Sequence, residues 1–258
     1  MRIAPLTEAQ YCQLQADKIL DQQQLVDWDG GYLVGKPLGN GYAWPGPEIP
    51  ADAPRLQSGS PIWPISIDEY ERMIKFGVLI EGSPSELLEG YLIAKDRGNG
   101  AGMSHGPNHA VGVQQVGDTL RDALGKPWVA RIQLPISLGS KRVPTAGSEP
   151  EPDITVAEGP NRRYLKQHPR VQDIRLLVEV ADSSLRADRL VKAGTFAKAG
   201  VSLYWVVNLI KRQLEVFSDP DRVKKVYRSK QIFGEDEIVT LNWDGLAPVT
   251  IKVSDLLP

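Results

Sequence analysis

The chain has 258 residues, 41% apolar and 24% charged, close to the averages of folded soluble domains. That balance excludes whole-chain disorder and a fibrous repeat, and the single cysteine, Cys12, excludes a disulfide scaffold or a cysteine metal site. A net charge of −2, from 30 basic and 32 acidic residues, excludes a broadly basic nucleic-acid coat but leaves room for a local basic groove. No apolar run approaches the roughly 20 residues that span a bilayer. The start, Met1-Arg2-Ile3-Ala4-Pro5-Leu6, has no signal-peptide core. A reducing cytoplasm without membrane attachment is the expected setting.

Residues 1–66 differ in character from the rest of the chain. Gln22-Gln23-Gln24 lies in a short polar stretch compatible with a helix, after which glycine, proline and tryptophan dominate to Pro64. Gly30-Gly31, Gly39-Asn40-Gly41 and Pro45-Gly46-Pro47 break any helical or strand period. With 4 basic and 7 acidic residues the segment is no DNA-binding arm. It reads as an irregular N-terminal extension that wraps the main domain or links to a partner. Trp28, Tyr32, Tyr42 and Trp44 predict that part of it packs.

Residues 67–258 read as one α/β domain. Asp68 to Lys75 predicts a short helix closed by Gly77. Tyr91 to Ala94 is a strand, and Val113, Val116, Leu120 and Leu124 line one face of a helix over 108–124. Residues 128–138 read as a strand with a proline bend, and Asp153 to Ala157 as a short strand. Ile174 to Ala181 is almost wholly apolar, as a strand buried on both faces should be. A helix from about Leu185 to Ala199 comes next, with Ser183 or Ser184 as N-cap and Gly200 as terminator. Strands over Tyr204 to Leu209 and Gln213 to Ser218 complete a mixed sheet flanked by helices.

Glu179 stands inside Leu176-Leu177-Val178-Glu179-Val180-Ala181, where an unpaired charge is strongly disfavoured. It either pairs with an arginine, points to solvent at a sheet edge, or ligates a metal. Asp153 closes Glu149-Pro150-Glu151-Pro152-Asp153 and opens a strand, so a neighbouring strand can present Glu179 beside it. Pro-Asp is also an ordinary turn signal. Two strand-borne carboxylates at one end of a sheet make a hard oxygen site suited to Mg²⁺ or Mn²⁺. In the next helix Asp188 and Lys192 are spaced i, i+4. They form either a surface ion pair or a means of bringing Lys192 to the two carboxylates, where it can orient water or stabilise developing charge.

These residues resemble the restriction-endonuclease-like superfamily with the PD-(D/E)XK signature and, more closely, its bacterial Uma-two family. The matching runs are Glu86-Leu87-Leu88-Glu89-Gly90, Asn108-His109-Ala110, Glu149-Pro150-Glu151-Pro152-Asp153-Ile154 and Leu177-Val178-Glu179-Val180-Ala181-Asp182-Ser183-Ser184. Asp188 with Lys192, Ala199-Gly200-Val201 and Tyr204-Trp205-Val206-Val207-Asn208 continue the pattern, which covers about residues 65–220. The resemblance implies a restriction-endonuclease-like mixed central β-sheet flanked by helices. It also implies metal-dependent phosphodiester hydrolysis in nucleic acid, with DNA the expected substrate. Asp153 matches the acid of the Pro-Asp element and Glu179 the acid of the second half-motif. The lysine expected two positions later is replaced by Ala181, and Lys192 matches the lysine moved to the following helix. Asp153, Glu179 and the main-chain carbonyl of Val180 are then the implied holders of Mg²⁺ or Mn²⁺. Glu86 matches an upstream glutamate that joins the metal shell, though it also reads as a solvated residue near a turn. His109 matches a helix-start histidine, structural or secondary, while Gln133 either faces the site or points to solvent. A homodimer with two sites on a twofold axis would suit duplex cleavage.

Ala181 and the near-neutral charge keep a second reading open, a catalytically silent nuclease fold serving as a DNA-binding or protein-interaction module. A hydrolase of smaller phosphate esters is a third. The charge is unevenly spread: residues 211–230 hold seven basic and three acidic residues, whereas 231–258 hold one basic and five acidic. Such a basic middle is either a solvated face or a confined polyanion groove.

Overall fold

A computed structural model describes residues 3–22, 25–38, 41–44, 49, 53–80, 85–94, 106–144, 146–182, 185, 188–243 and 247–258. Helix α1 (Glu8–Ala16) precedes strands β1 (Val26–Asp29), β2 (Tyr32–Gly35), β3 (Pro37–Leu38) and β4 (Gly41–Tyr42). Helix α2 (Ile67–Lys75) and strands β5 (Ser85–Leu88) and β6 (Tyr91–Ala94) are the next elements. After them come α3 (Pro107–Leu124), β7 (Trp128–Ile132), β8 (Leu138–Gly139), β9 (Gly147–Ser148), β10 (Ile154–Glu158) and β11 (Ile174–Ala181). A π-helical turn (Asp188–Lys192) leads into α4 (Ala193–Ala199). The chain then forms β12 (Leu203–Asn208), β13 (Gln213–Asp221), β14 (Val226–Gly234), β15 (Ile238–Leu241) and β16 (Val249–Lys252).

These elements fall into two units, Met1–Lys95 with Gly139–Glu149, and Asp96–Leu138 with Pro150–Pro258. In the first unit α1 and α2 both start at capping boxes, Thr7 with Gln10 and Ser66 with Glu69, each satisfying N–H groups that the first turn leaves unbonded. Gly30 and Gly31, both at positive φ, form the two-residue turn that joins β1 to β2. Leu14, Ile19, Ile65, Ile67, Met73 and Leu87 are fully or almost fully buried in its core. The expected aromatic packing is present: Tyr11 stacks on Trp28 and Trp44 meets Trp63 edge-on, both at 6.4 Å. Among the described residues, the irregular N-terminal region thus holds helix α1 and short hairpins.

The second unit is built on a mixed six-stranded sheet in the order β14-β13-β12-β11-β10-β7. Only β11 and β12 run parallel; the other pairs are antiparallel. The period-two alternation of strands assigns each residue to a face. One face carries Ile154, Val156, Val178, Val180, Trp205 and Val207, packed with Val113, Val116, Leu120 and Leu124 of α3. That is the apolar stripe read from the sequence. α3 comes close because Gly112 and Gly117 face the sheet; a Cβ at Gly117 would stand 2.6 Å from Ile132 Cδ1. The opposite face carries Leu177, Tyr204, Val206 and Phe217 and is covered by Phe196 of α4, whose ring lies edge-on to Tyr204 at 5.1 Å.

Several boundaries differ from expectation. The strand expected over 128–138 stops at Ile132, because Gln133 takes φ 49° and turns the chain before Pro135. Within the helix expected over 185–199, Leu185 is α-helical, residues 188–192 are π-helical and 193–199 are α-helical again. The proposed N-caps Ser183 and Ser184 lie outside the described residues. Gly200 ends α4 in the left-handed conformation, as expected. Strands β1 to β5, β8, β9 and β14 to β16 are additional to those expected; β14 alternates exposed and half-buried residues from Val226 to Lys230 and includes Arg228 and Lys230, so charge concealed its period.

Candidate active site

Asp153 stands one residue before β10, at the end of the sheet where β11 finishes. The last pair of the ladder is Ile154 with Val178, so one step further along Asp153 comes level with Glu179 at the sheet end. Asp153 Oδ2 accepts the Val180 N–H at 2.8 Å. Its Oδ1 lies 3.3 Å from His109 Nε2 in the first turn of α3, with side chains 9% and 13% exposed. Gln133 closes the other side: its N–H donates to the Asp153 carbonyl at 2.9 Å and its Nε2 to Oδ1 at 3.3 Å. Burial pushes the Asp153 carboxyl up. The hydrogen bond and charge of His109, the charge of Lys192 and the Val180 N–H outweigh it and hold the group below its ordinary value. Asp153 is therefore kept ionised.

Glu179 is buried in the central strand and its Oε1 meets Lys192 Nζ at 2.7 Å, with side chains 4% and 19% exposed. The charge that looked unfavourable in the sequence is thus met by the lysine singled out for it. Ala181, in the place of the motif lysine, is buried in the α4-facing core. Lys192 acts on both carboxylates, by contact on Glu179 and through its charge on Asp153.

The Val180 carbonyl has a place in the same geometry. Val180 N–H reaches Asp153 on the β10 side, whereas the next carbonyl, of Ala181, accepts Leu209 N–H on the β12 side. A strand residue's N–H and C=O point the same way. The Val180 carbonyl therefore faces β10, where the ladder sets Pro152, which carries no N–H. It is a main-chain oxygen without a ladder donor, next to two carboxylates. This donor set is entirely hard oxygen. No group of three or more His, Cys, Asp and Glu able to hold a metal occurs among the described residues. What the sheet end offers is two carboxylates, a carbonyl and positions left to water, a set that fits Mg²⁺ or Mn²⁺.

The other sequence candidates are placed differently. Glu86 lies in the first unit, buried in the β5–β6 hairpin opposite Ile93, so it is not the solvated turn residue that the sequence also allowed. The Asp188 side chain lies outside the described residues. Gln133, which sequence left between site and solvent, touches Asp153.

A further buried carboxylate, in the cross-strand row of Glu179, escaped the sequence reading. Glu215 of β13 is fully buried and accepts Arg189 Nε at 2.7 Å and a terminal nitrogen of Arg189. Lys230 Nζ at 2.9 Å, Gln213 Nε2 at 3.1 Å and Asn208 Nδ2 at 3.3 Å complete its shell. The signal was the one that exposed Glu179: an acid inside an apolar run, here Leu214-Glu215-Val216-Phe217. Burial raises the Glu215 carboxyl, but Arg189, Lys230, Asn208 and Gln213 bring it down to about 2. A depressed folded pKa adds stability above the unfolded value near 4.5, lost as pH falls toward 2. The shift corresponds to on the order of 3 kcal/mol. Glu215→Gln should therefore flatten the dependence of unfolding free energy on pH between about 4.5 and 2. Urea titrations across that window check this; an unchanged slope contradicts it.

No helix among the described residues is long and apolar enough to cross a membrane. No curated protein is significantly similar to the chain. A crystal structure of a "putative nuclease belonging to DUF820" from Anabaena variabilis ATCC 29413 is similar at 15% identity with a TM-score of 0.47, covering 75% of this chain and 97% of that one. Residues 67–245 match the family model of Uma2, described as "Putative restriction endonuclease"; since the match takes in well over half of the chain, the protein belongs to that family.

Proposed function

We propose that the protein is an Mg²⁺- or Mn²⁺-dependent endonuclease acting on DNA. The observation that carries this reading is the row at the sheet end, with Asp153 level with Glu179 and Lys192 Nζ 2.7 Å from Glu179. Asp153, Glu179 and the Val180 carbonyl would hold the ion. When bound, it supplies activation of a water and neutralisation of charge at the scissile phosphate. His109 and Gln133 fix the Asp153 carboxylate, and its low pKa keeps it charged at neutral pH. Lys192 contacts the phosphate or orients the attacking water and stabilises charge developing on the phosphoryl oxygens. The water oxygen forms the new P–O bond, one ester P–O bond breaks, and the leaving oxygen takes up a proton.

Cations on the same unit favour a polyanion. Arg222 Nε donates to the Lys198 carbonyl at the end of α4, and exposed Lys224 and half-buried Lys225 sit at the adjoining turn between β13 and β14. A cytoplasmic homodimer with two such sites is part of the proposal. The purified protein with Mg²⁺ or Mn²⁺ should cleave plasmid or linear duplex DNA and lose all cleavage in EDTA. Comparison with single-stranded DNA and RNA sets the substrate. No cleavage of any of them under either metal contradicts the enzyme reading.

Ala181 favours one other reading, a catalytically silent nuclease fold that binds DNA or protein. That protein would still bind DNA in a salt-dependent way, without turnover.

A further inference from the structure

We propose that Glu215, acting through Arg189, is the positioning residue that holds Lys192 over Glu179. The proposal rests on the nuclease reading for its consequence, but its geometry stands apart from that reading. A lysine at position 181 would be placed by the strand itself, two residues from Glu179. Ala181 stands there, and Lys192 comes instead from a helical turn. A long, flexible side chain reaching in from outside the sheet is only as well placed as the turn that carries it.

That turn is fastened at both ends. Four residues after Lys192, Phe196 is fully buried against the Tyr204 ring. Three residues before it, Arg189 lays its planar guanidinium on both oxygens of Glu215, the bidentate geometry that fixes orientation as well as distance. The ladder pairs Glu179 with Val206 and Val206 with Glu215, so the two carboxylates share one cross-strand row. Lys192 and Arg189 thus descend from one π-helical turn onto two points of that row, about 10 Å apart by the usual strand spacing. Single π-helical turns recur at functional sites because they re-aim side chains. Lys230, Gln213 and Asn208 hold the Glu215 carboxylate from the sheet itself, so the anchor does not depend on the turn for its position.

Loss of Arg189 leaves Glu215 with three donors, so Arg189→Met should fold; Arg189→Lys keeps the charge without the fork. Amine acylation followed by mass spectrometry, well below the unfolding temperature, reads the Lys192 contact directly. Lys192 is expected to be protected in the wild type, acylated about tenfold faster in Arg189→Met and at an intermediate rate in Arg189→Lys. In the cleavage assay kcat should fall by about 10- to 100-fold in Arg189→Met with KM for DNA little changed, the cost expected of a displacement near 1 Å. Lys192 reactivity equal to wild type in folded Arg189→Met overturns the proposal, even if thermal stability drops. If the wild type cleaves no nucleic acid, the nuclease reading falls while the acylation result still decides the positioning role.

Discussion

Asp153→Asn and Glu179→Gln are each expected to lower Mg²⁺-dependent cleavage by about 10³-fold or more while the protein stays folded. The substitutions keep size and one acceptor oxygen, which at position 153 can still accept the Val180 N–H, while the new amide nitrogen faces Gln133, whose own amide can turn to present its oxygen. What they remove is charge. Asp153 is held ionised by His109, Lys192 and the Val180 N–H, and the Glu179 carboxylate meets Lys192 Nζ at 2.7 Å. A neutral amide in either place weakens both the hold on a divalent cation and the electrostatic match to Lys192. Alanine at position 153 would add a fold penalty of about 1–3 kcal/mol by orphaning the Val180 N–H, which is why the amides are the cleaner test. Initial rates beside far-ultraviolet circular dichroism check the expectation. Cleavage within tenfold of wild type by both folded variants would remove these carboxylates from the chemistry.

Trp205→Ala should cost about 3–5 kcal/mol of stability, the largest loss expected of a core substitution here. Trp205 is fully buried in β12 between Val178 and Val216, on the face that packs against α3. Its removal leaves a cavity in the middle of the sheet, walled by strands that cannot close without breaking ladders. The indole Nε1 is buried with no partner among the described residues. Trp205→Phe therefore keeps most of the packing and relieves an unpaired donor, and should cost much less than the alanine change. Chemical denaturation of both variants measures this. Equal losses in the two would show that volume at this position does not set the stability.

The parts of the fold legible in the sequence were those where one physical signal dominates. The unbroken apolar run from Ile174 to Ala181 marked the buried central strand, and the stripe Val113, Val116, Leu120, Leu124 marked the helix beneath it. Glu179 stood out because a buried charge needs a counter-ion, and the structure supplies Lys192. The π-helical turn was hidden because its residues have ordinary helical composition; its geometry follows from where Arg189 and Lys192 must reach. Gln133 carried no sign of its positive φ, which comes from turning the chain beside Asp153. Glu215 carries the same signal as Glu179, an acid among apolar strand residues, with a bidentate arginine that sequence separation conceals. Strand β14 was obscured because an exposed strand carries charge where a buried one carries valine.

In the proposed function Asp153 and Glu179 form a divalent-cation site at the end of the sheet. Calorimetric titration of Mn²⁺ into the wild-type protein, beside the doubly substituted Asp153→Asn, Glu179→Gln protein, tests it most directly. A saturable binding isotherm of one or two ions per chain is expected in the wild type and none in the double variant. Equal binding by the two proteins, or none by the folded wild type, would contradict it.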